Sequence, residues 1–81
     1  MSTELQLNII SAEKKIFSGK VTSVTLPGKL GKFSILPDHA PLVSSLDAGT
    51  IKYEKNGSSE TVDIKSGFAE VSHNVVTVCV E

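Results

Sequence analysis

Asn56-Gly57 is the most constraining pair in the chain. A two-residue turn of type I′ needs positive φ at both central positions, and Asn-Gly meets that demand at little steric cost. The flanking residues alternate. Ile51 and Tyr53 precede the turn and Val62 and Ile64 follow it, with polar neighbours between. Centring the turn there pairs Lys55 with Ser58, Tyr53 with Glu60 and Ile51 with Val62, so the apolar side chains share one face. A slip of one residue would send them all to the other face. The same logic places His73-Asn74 at the tip of a second hairpin. Ser72 then faces Val75, Val71 faces Val76 and Ala69 faces Val78. Ala69, Val71, Val76, Val78 and Val80 take one face, while Phe68, Glu70, Thr77 and Cys79 take the other. Turn chemistry and alternation select the same register twice, the agreement expected of a specified fold.

The rest of the chain also reads as strands. Leu5-Gln6-Leu7-Asn8-Ile9 alternates with its odd positions apolar, the mark of a half-buried strand. Ser11 to Lys15 is polar and predicts a turn. Ile16-Phe17-Ser18-Gly19 is expected to re-enter the core and turn again. Val21 to Leu26 reads as one long strand whose apolar parity switches between Val21 and Val24, which predicts a bulge near Thr22 and Ser23. Pro27-Gly28 is expected to end it. Gly31 precedes an alternating segment to Ile35, Pro37 to Pro41 forms a rigid loop, and Leu42 to Leu46 extends again to Asp47-Ala48-Gly49. No window carries an apolar repeat of helical period. The expected fold is all-β, one domain over residues 1–81. Its expected architecture is a two-sheet antiparallel β-sandwich of about ten short strands.

Charge and cysteine usage narrow the function classes. Eight lysines, no arginine and nine acids give a net charge of -1, which argues against nucleic-acid binding because the phosphate contribution needs a basic surface. One cysteine cannot form an internal disulfide, which points to a reducing compartment. Met1-Ser2-Thr3-Glu4 lacks the basic and apolar regions of a signal peptide. No apolar stretch approaches the roughly 20 residues that cross a bilayer, so direct membrane insertion is not expected. A chain this short buries only about 60–65% of its unfolded surface, so a partner surface would help it.

No constellation of catalytic residues is legible. His39 and His73 lie in separate loops, and no serine sits in a G-x-S-x-G elbow. A metal is not expected either: Cys79 stands alone, and Asp38 and His39 are neighbours whose side chains would point apart on an extended chain. Gly28-Lys29-Leu30-Gly31-Lys32 fails as a phosphate loop, with Leu26 where the first glycine belongs and Phe33 where the hydroxyl belongs. Strands rather than helices flank it, which also excludes a G-x-x-G nucleic-acid clamp. It reads as a glycine-permitted turn. Asn56-Gly57-Ser58 matches a glycosylation sequon but is already the hairpin turn. No cofactor or small-molecule substrate is expected.

Two alternatives remain. The segment from Glu60 to Lys65 resembles the lysine-bearing turn of lipoyl and biotinyl carrier domains, although those hold the lysine at a hairpin tip. A stand-alone binding module, for example for carbohydrate, would want an aromatic platform, and the chain has no Trp and one Tyr.

The order of segments is more specific. Leu5 to Glu13, Ile16-Phe17-Ser18-Gly19, Gly28 to Gly31, Ile35-Leu36-Pro37-Asp38-His39-Ala40-Pro41-Leu42, Gly67-Phe68-Ala69-Glu70-Val71 and Val76-Thr77-Val78 follow one another across the whole chain. In that order they resemble the epsilon subunit of F-type ATP synthases. The resemblance implies a ten-stranded sandwich in the central stalk, bound to the gamma subunit and seated on the c-ring. It implies a peripheral rotor part at the cytoplasmic face of the bacterial inner membrane, with the catalytic sites on other subunits.

By the family pattern the c-ring side is Gly28, Lys29, Leu30, Gly31 and Lys32, with Asp38 and His39 from the loop Pro37–Pro41. Both loops are short and constrained by glycine or proline, as a fixed contact surface requires. His39 reads equally as a brace bonded to backbone. Asp38 stands where the family often has a small residue, and Lys32 where it commonly has an acid. On the gamma side, the cross-strand neighbours Phe68 and Cys79 suggest an exposed partner surface. Equally, the loop around Ile16 and Phe17 could cover them. Many family members continue into two C-terminal helices that restrain ATP hydrolysis. The sequence stops at Glu81, so the expectation is a coupling subunit with no C-terminal helical hairpin and no such brake.

Overall fold

The computed structural model describes residues 3–81; Met1 and Ser2, on which part of the signal-peptide reading rests, lie outside the described residues. The strands are β1 (Leu5–Ser11), β2 (Lys15–Val21), β3 (Ser23–Gly28), β4 (Gly31–Ile35), β5 (Leu42–Leu46), β6 (Gly49–Lys55), β7 (Ser58–Ile64), β8 (Gly67–Ser72) and β9 (Val75–Val80). No helix occurs among the described residues.

Both hairpins take the register their turns dictate. β6 and β7 pair Lys55 with Ser58, Tyr53 with Glu60 and Ile51 with Val62. β8 and β9 pair Ser72 with Val75, Val71 with Val76 and Ala69 with Val78. The central φ angles are 51° and 81° at Asn56 and Gly57, and 50° and 63° at His73 and Asn74. The second turn therefore reaches the left-handed region without glycine, which Asn and His tolerate better than most residues.

The strands follow the order β2-β1-β9-β8-β5-β3-β6-β7, with β4 on β3. The β5–β3 link is a single pair, Gly28 with Leu46. That narrow joint divides the path into a layer of β2, β1, β9, β8 and β5 and a layer of β4, β3, β6 and β7. Leu5, Leu7, Ile9, Ala69, Val71, Val76 and Val78 from the first layer and Val24, Leu26, Ile35, Ile51 and Tyr53 from the second form one core. No charged or polar side chain is buried among the described residues. The sandwich is held by apolar burial, at about 25 cal/mol per Å² removed from water.

Four local expectations need correction. The sheet is not wholly antiparallel: β1 and β9 are parallel, with Leu7 beside Val76 and Ile9 beside Val78. No tight turn links these two strands, so none dictates their direction. Gly19 does not turn the chain. It sits inside β2 opposite Leu7, and the Phe17 ring lies 3.1 Å from where its Cβ would stand. The parity switch between Val21 and Val24 is not a bulge within one strand. It is the corner at Thr22, where the chain leaves one layer and enters the other. The Thr22 N–H donates to the Glu54 carbonyl at 2.8 Å and fastens that corner. The irregularity lies instead between β1 and β2, at Ile9 and Ile10. Finally, β3 runs through Pro27 to Gly28 rather than stopping before them.

Phe17 and Tyr53 close the sandwich on the β2 side. Their ring centroids are 4.4 Å apart, and the Lys55 ammonium lies 5.6 Å from the Phe17 centroid. Burial, and then the charge of Glu60, push the Tyr53 phenol above its ordinary pKa. The neutral phenol is therefore favoured by folding. That stability is complete below the unfolded value near 10 and is lost as pH rises through the folded value. Tyr53 is the single tyrosine and there is no Trp, so absorbance at 295 nm reports it alone. The phenolate is expected to appear at higher pH in the folded chain than in urea. Coincident titrations would contradict this packing.

Candidate partner-binding surfaces

Three surfaces carry the residues singled out from the sequence. The first is the turn between β3 and β4. Gly28 pairs with Gly31, leaving Lys29 and Leu30 at the tip. Gly31 has φ 128°, a conformation that L side chains rarely adopt. A Cβ on Gly28 would lie 2.7 Å from Phe33 Cε1 and 2.8 Å from the Gly31 carbonyl. The turn is also tied to β5, since Lys29 N–H donates to the Ser45 carbonyl at 3.1 Å and Asp47 N–H to the Pro27 carbonyl at 2.8 Å. This is a rigid tip, and Leu30 is fully exposed on it.

The second surface is the loop after β4. His39 N–H donates to the Leu36 carbonyl at 3.2 Å. His39 Nδ1 lies 2.7 Å from the Ala40 carbonyl. A carbonyl only accepts, so Nδ1 carries the proton and Nε2 is left free. His39 is thus a loop brace. Asp38 has φ 67°, which explains why a small residue suits the position. Here Asn74 compensates. The Asp38 N–H donates to Asn74 Oδ1 at 2.6 Å, and Asn74 Nδ2 donates back to Asp38 Oδ1 at 3.0 Å. The Asn74 carbonyl also accepts from the Gln6 N–H at 2.8 Å. The Asn74 side chain therefore clamps the loop to the β8–β9 turn, and its backbone carbonyl ties that turn to the start of β1.

His39 and His73, in separate loops of the sequence, line one cleft here with Asp38, Pro41 and Asn74. Among the described residues no group of three or more His, Cys, Asp or Glu side chains is placed to hold a metal.

These two loops do not meet. One precedes β4 and the other follows it, so the five residues of β4 separate them by about 16 Å at ~3.3 Å per residue. Any single partner touching both has to run along β4. Among the described residues β4 pairs only with β3, which leaves its other edge open to such a partner.

The third surface is the outer face of the five-strand layer. Cys79 lies between Ile10 of β1 and Phe68 of β8. Phe68 is 51% exposed. Phe17 packs inward on Tyr53, so it does not cover Phe68. Val43, beside Glu70 on the same face, is 73% exposed. The opposite outer face is different in kind. It carries hydroxyl and carboxylate pairs, Thr25 with Ser34 at 2.9 Å and Thr50 with Asp63 at 3.0 Å. Lys65 sits at the bend between β7 and β8, not at a hairpin tip as a carrier lysine would.

Sequence reasoning missed Asn74 as more than a turn residue, and it missed Ile10 and Val43. No signal in the sequence linked Asn74 to the Pro37–Pro41 loop, 36 positions away. Ile10 and Val43 follow from the strand register once β1–β9 and β5–β8 are known.

Comparisons with known proteins agree with this architecture. The family model described as ATP synthase, Delta/Epsilon chain, beta-sandwich domain matches residues 4–81. The ATP synthase epsilon chain of Lawsonia intracellularis is 47% identical over 81 residues, covering 100% of this chain and 61% of that relative. That of Desulfitobacterium hafniense is 41% identical over 78 residues, covering 96% and 59%. The chain thus spans about three fifths of the length of these relatives. Among solved structures, a chain of the Euglena gracilis mitochondrial ATP synthase (OSCP/F1/c-ring) superposes with a TM-score of 0.93 at 23% identity, covering 99% of this chain and 52% of that one. A chain of the Tetrahymena thermophila central stalk and c-ring structure gives 0.79 at 13% identity, covering 94% and 62%.

Proposed function

Because the chain belongs to the ATP synthase Delta/Epsilon β-sandwich family, we propose that it is a non-catalytic rotor part of an ATP synthase, bound to gamma and to the c-ring. The single observation that carries this reading is the family match over residues 4–81. The geometry supports it. A small apolar-cored sandwich with glycine-locked and side-chain-clamped loops can pass on torque without rearranging. Among the described residues no helix is long and apolar enough to cross a membrane. As a rotor part the chain would sit peripherally, at the cytoplasmic face of a bacterial inner membrane.

The ring side is the open edge of β4. Gly28, Lys29, Leu30, Gly31 and Lys32 stand at one end of it, and Asp38 and His39 at the other. The gamma side is the outer face that carries Phe68, Cys79 and Ile10. Its exposed aromatic, against the hydroxyl-rich opposite face, favours that assignment.

Capture of cognate gamma by the purified chain tests the reading, and Phe68→Glu tests the face. The variant is expected to weaken gamma binding about 30-fold or more, since burying an unpaired charge at an apolar contact costs ~2 kcal/mol or more. Phe68 is half exposed and the fold is expected to survive. Unchanged affinity with intact folding removes Phe68 from the interface, and failure of the unaltered chain to bind gamma sinks the rotor reading.

A further inference from the structure

The β3–β4 turn presents an unusual combination. Leu30 is fully exposed, at the tip of a turn tied to β5 by the Lys29 N–H and to Asp47 through the Pro27 carbonyl. Lys29 and Lys32 flank it, both exposed. One acid shares the corner: Asp47 is tied by its N–H to the Pro27 carbonyl. Two cations against one anion leave the tip net positive in a chain whose overall charge is -1. Two shallow, overlapping recesses open beside Leu30. One, of about 380 Å³, is bounded by Gly28, Lys29, Phe33, Val43 and Ser45. The other, of about 400 Å³, is bounded by Lys32, Phe33, Leu42 and Val43. Phe33 is half-buried and Val43 is exposed, so the recesses have apolar walls and a basic rim.

We propose that this turn recognises a protein loop that carries a carboxylate beside an aliphatic side chain. The inference rests on the ring-facing reading of the turn and adds the chemistry of the ring loop it meets. The aliphatic group packs against Leu30 and enters a recess next to Phe33 and Val43, while the carboxylate faces Lys29 and Lys32. Charge complementarity of this kind selects partners by disfavouring wrong ones as much as by attracting the right one. A ring whose loops are basic is therefore rejected. An anionic lipid surface fits less well. Lipid-reading clusters gather about 4–8 cations, and concave recesses beside a single projecting leucine suit an entering side chain.

The test measures affinity of the chain, bound to its cognate gamma, for the detergent-solubilised c-ring. Reversing both charges, Lys29→Glu with Lys32→Glu, is expected to weaken ring binding about 10- to 100-fold and to abolish its weakening by salt. Affinity for gamma stays unchanged. Lysine in place of the ring-loop carboxylate is expected to restore the reversed chain. Leu30→Ser is expected to lose about fivefold at every salt concentration, the scale of one lost aliphatic contact. A photoreactive residue at position 30 separates the two layers of the claim. Labelling of the ring with no effect of charge reversal overturns the acidic-partner inference alone. Absence of ring labelling overturns the ring-facing reading beneath it. Equal binding to ring-free phosphatidylglycerol vesicles, lost on charge reversal, assigns the lysines to lipid and also overturns the proposal.

Discussion

Gly67→Ala is expected to destabilise the domain by about 2–3 kcal/mol, the upper range for one added methyl in a packed interior. Gly67 opens β8 opposite Val80. A Cβ there would run into the Cys79 carbonyl and stand 3.2 Å from the Val80 Cα. Those obstacles are backbone, not the end of a flexible side chain. β9 cannot retreat, because it is paired with β8 on one side and with β1 on the other. For a chain of 81 residues the whole stability is on the order of 4–12 kcal/mol, so the change should move a urea midpoint well outside error. Tyr53 emission is a suitable probe. Gly57→Ala is the useful contrast. Its site is open, with φ 81° and nothing near the new Cβ, so it pays only the backbone strain of ~1 kcal/mol. A loss below about 0.5 kcal/mol at Gly67 would show that β8 and β9 are not packed as described.

Asn74→Asp is expected to open the loop clamp at neutral pH and to cost about 1–2 kcal/mol, the scale of a lost hydrogen bond joined to a like-charge contact near the surface. The variant keeps the turn, since Asp also tolerates positive φ. It loses the Nδ2–H that Asp38 accepts and sets two carboxylates face to face. Repulsion between them adds to the lost bond. The exchanged pair, Asp38→Asn with Asn74→Asp, restores one amide donor and one carboxylate and is expected to recover the loss. Amide hydrogen exchange at position 38 reads the clamp directly. Protection should drop in the single variant and return in the exchanged one. If protection is the same in all three chains, the reciprocal bonds do not hold the loop.

The Asn74 experiment acts where distant parts of the chain meet, and that is where the sequence was least legible. The β6–β7 and β8–β9 hairpins could be registered to the residue because Asn56-Gly57 and His73-Asn74 demand particular turns, and alternation then leaves one pairing that buries the valines and isoleucines. The β1 and β4 segments were legible for the same reason. The Val21–Val24 switch was visible but misassigned, because a bulge and a change of layer leave the same trace in apolar parity. A brace on His39 was one of two open readings, and the 2.7 Å approach of its ring to the Ala40 carbonyl supplies that brace. Phe68 and Cys79 were correctly placed side by side. Whether Phe17 covered them depended on which way Phe17 turned.

By itself the sequence determined the all-β character, the two local registers and the family, since these rest on turn stereochemistry, on a side-chain period of two and on the order of segments. The parallel match of β1 with β9 and the Asp38–Asn74 clamp came only with the tertiary structure. Each joins residues far apart along the chain, 36 positions in the case of the clamp. No local rule links such residues. Their meeting is set by which layers must close over the shared core.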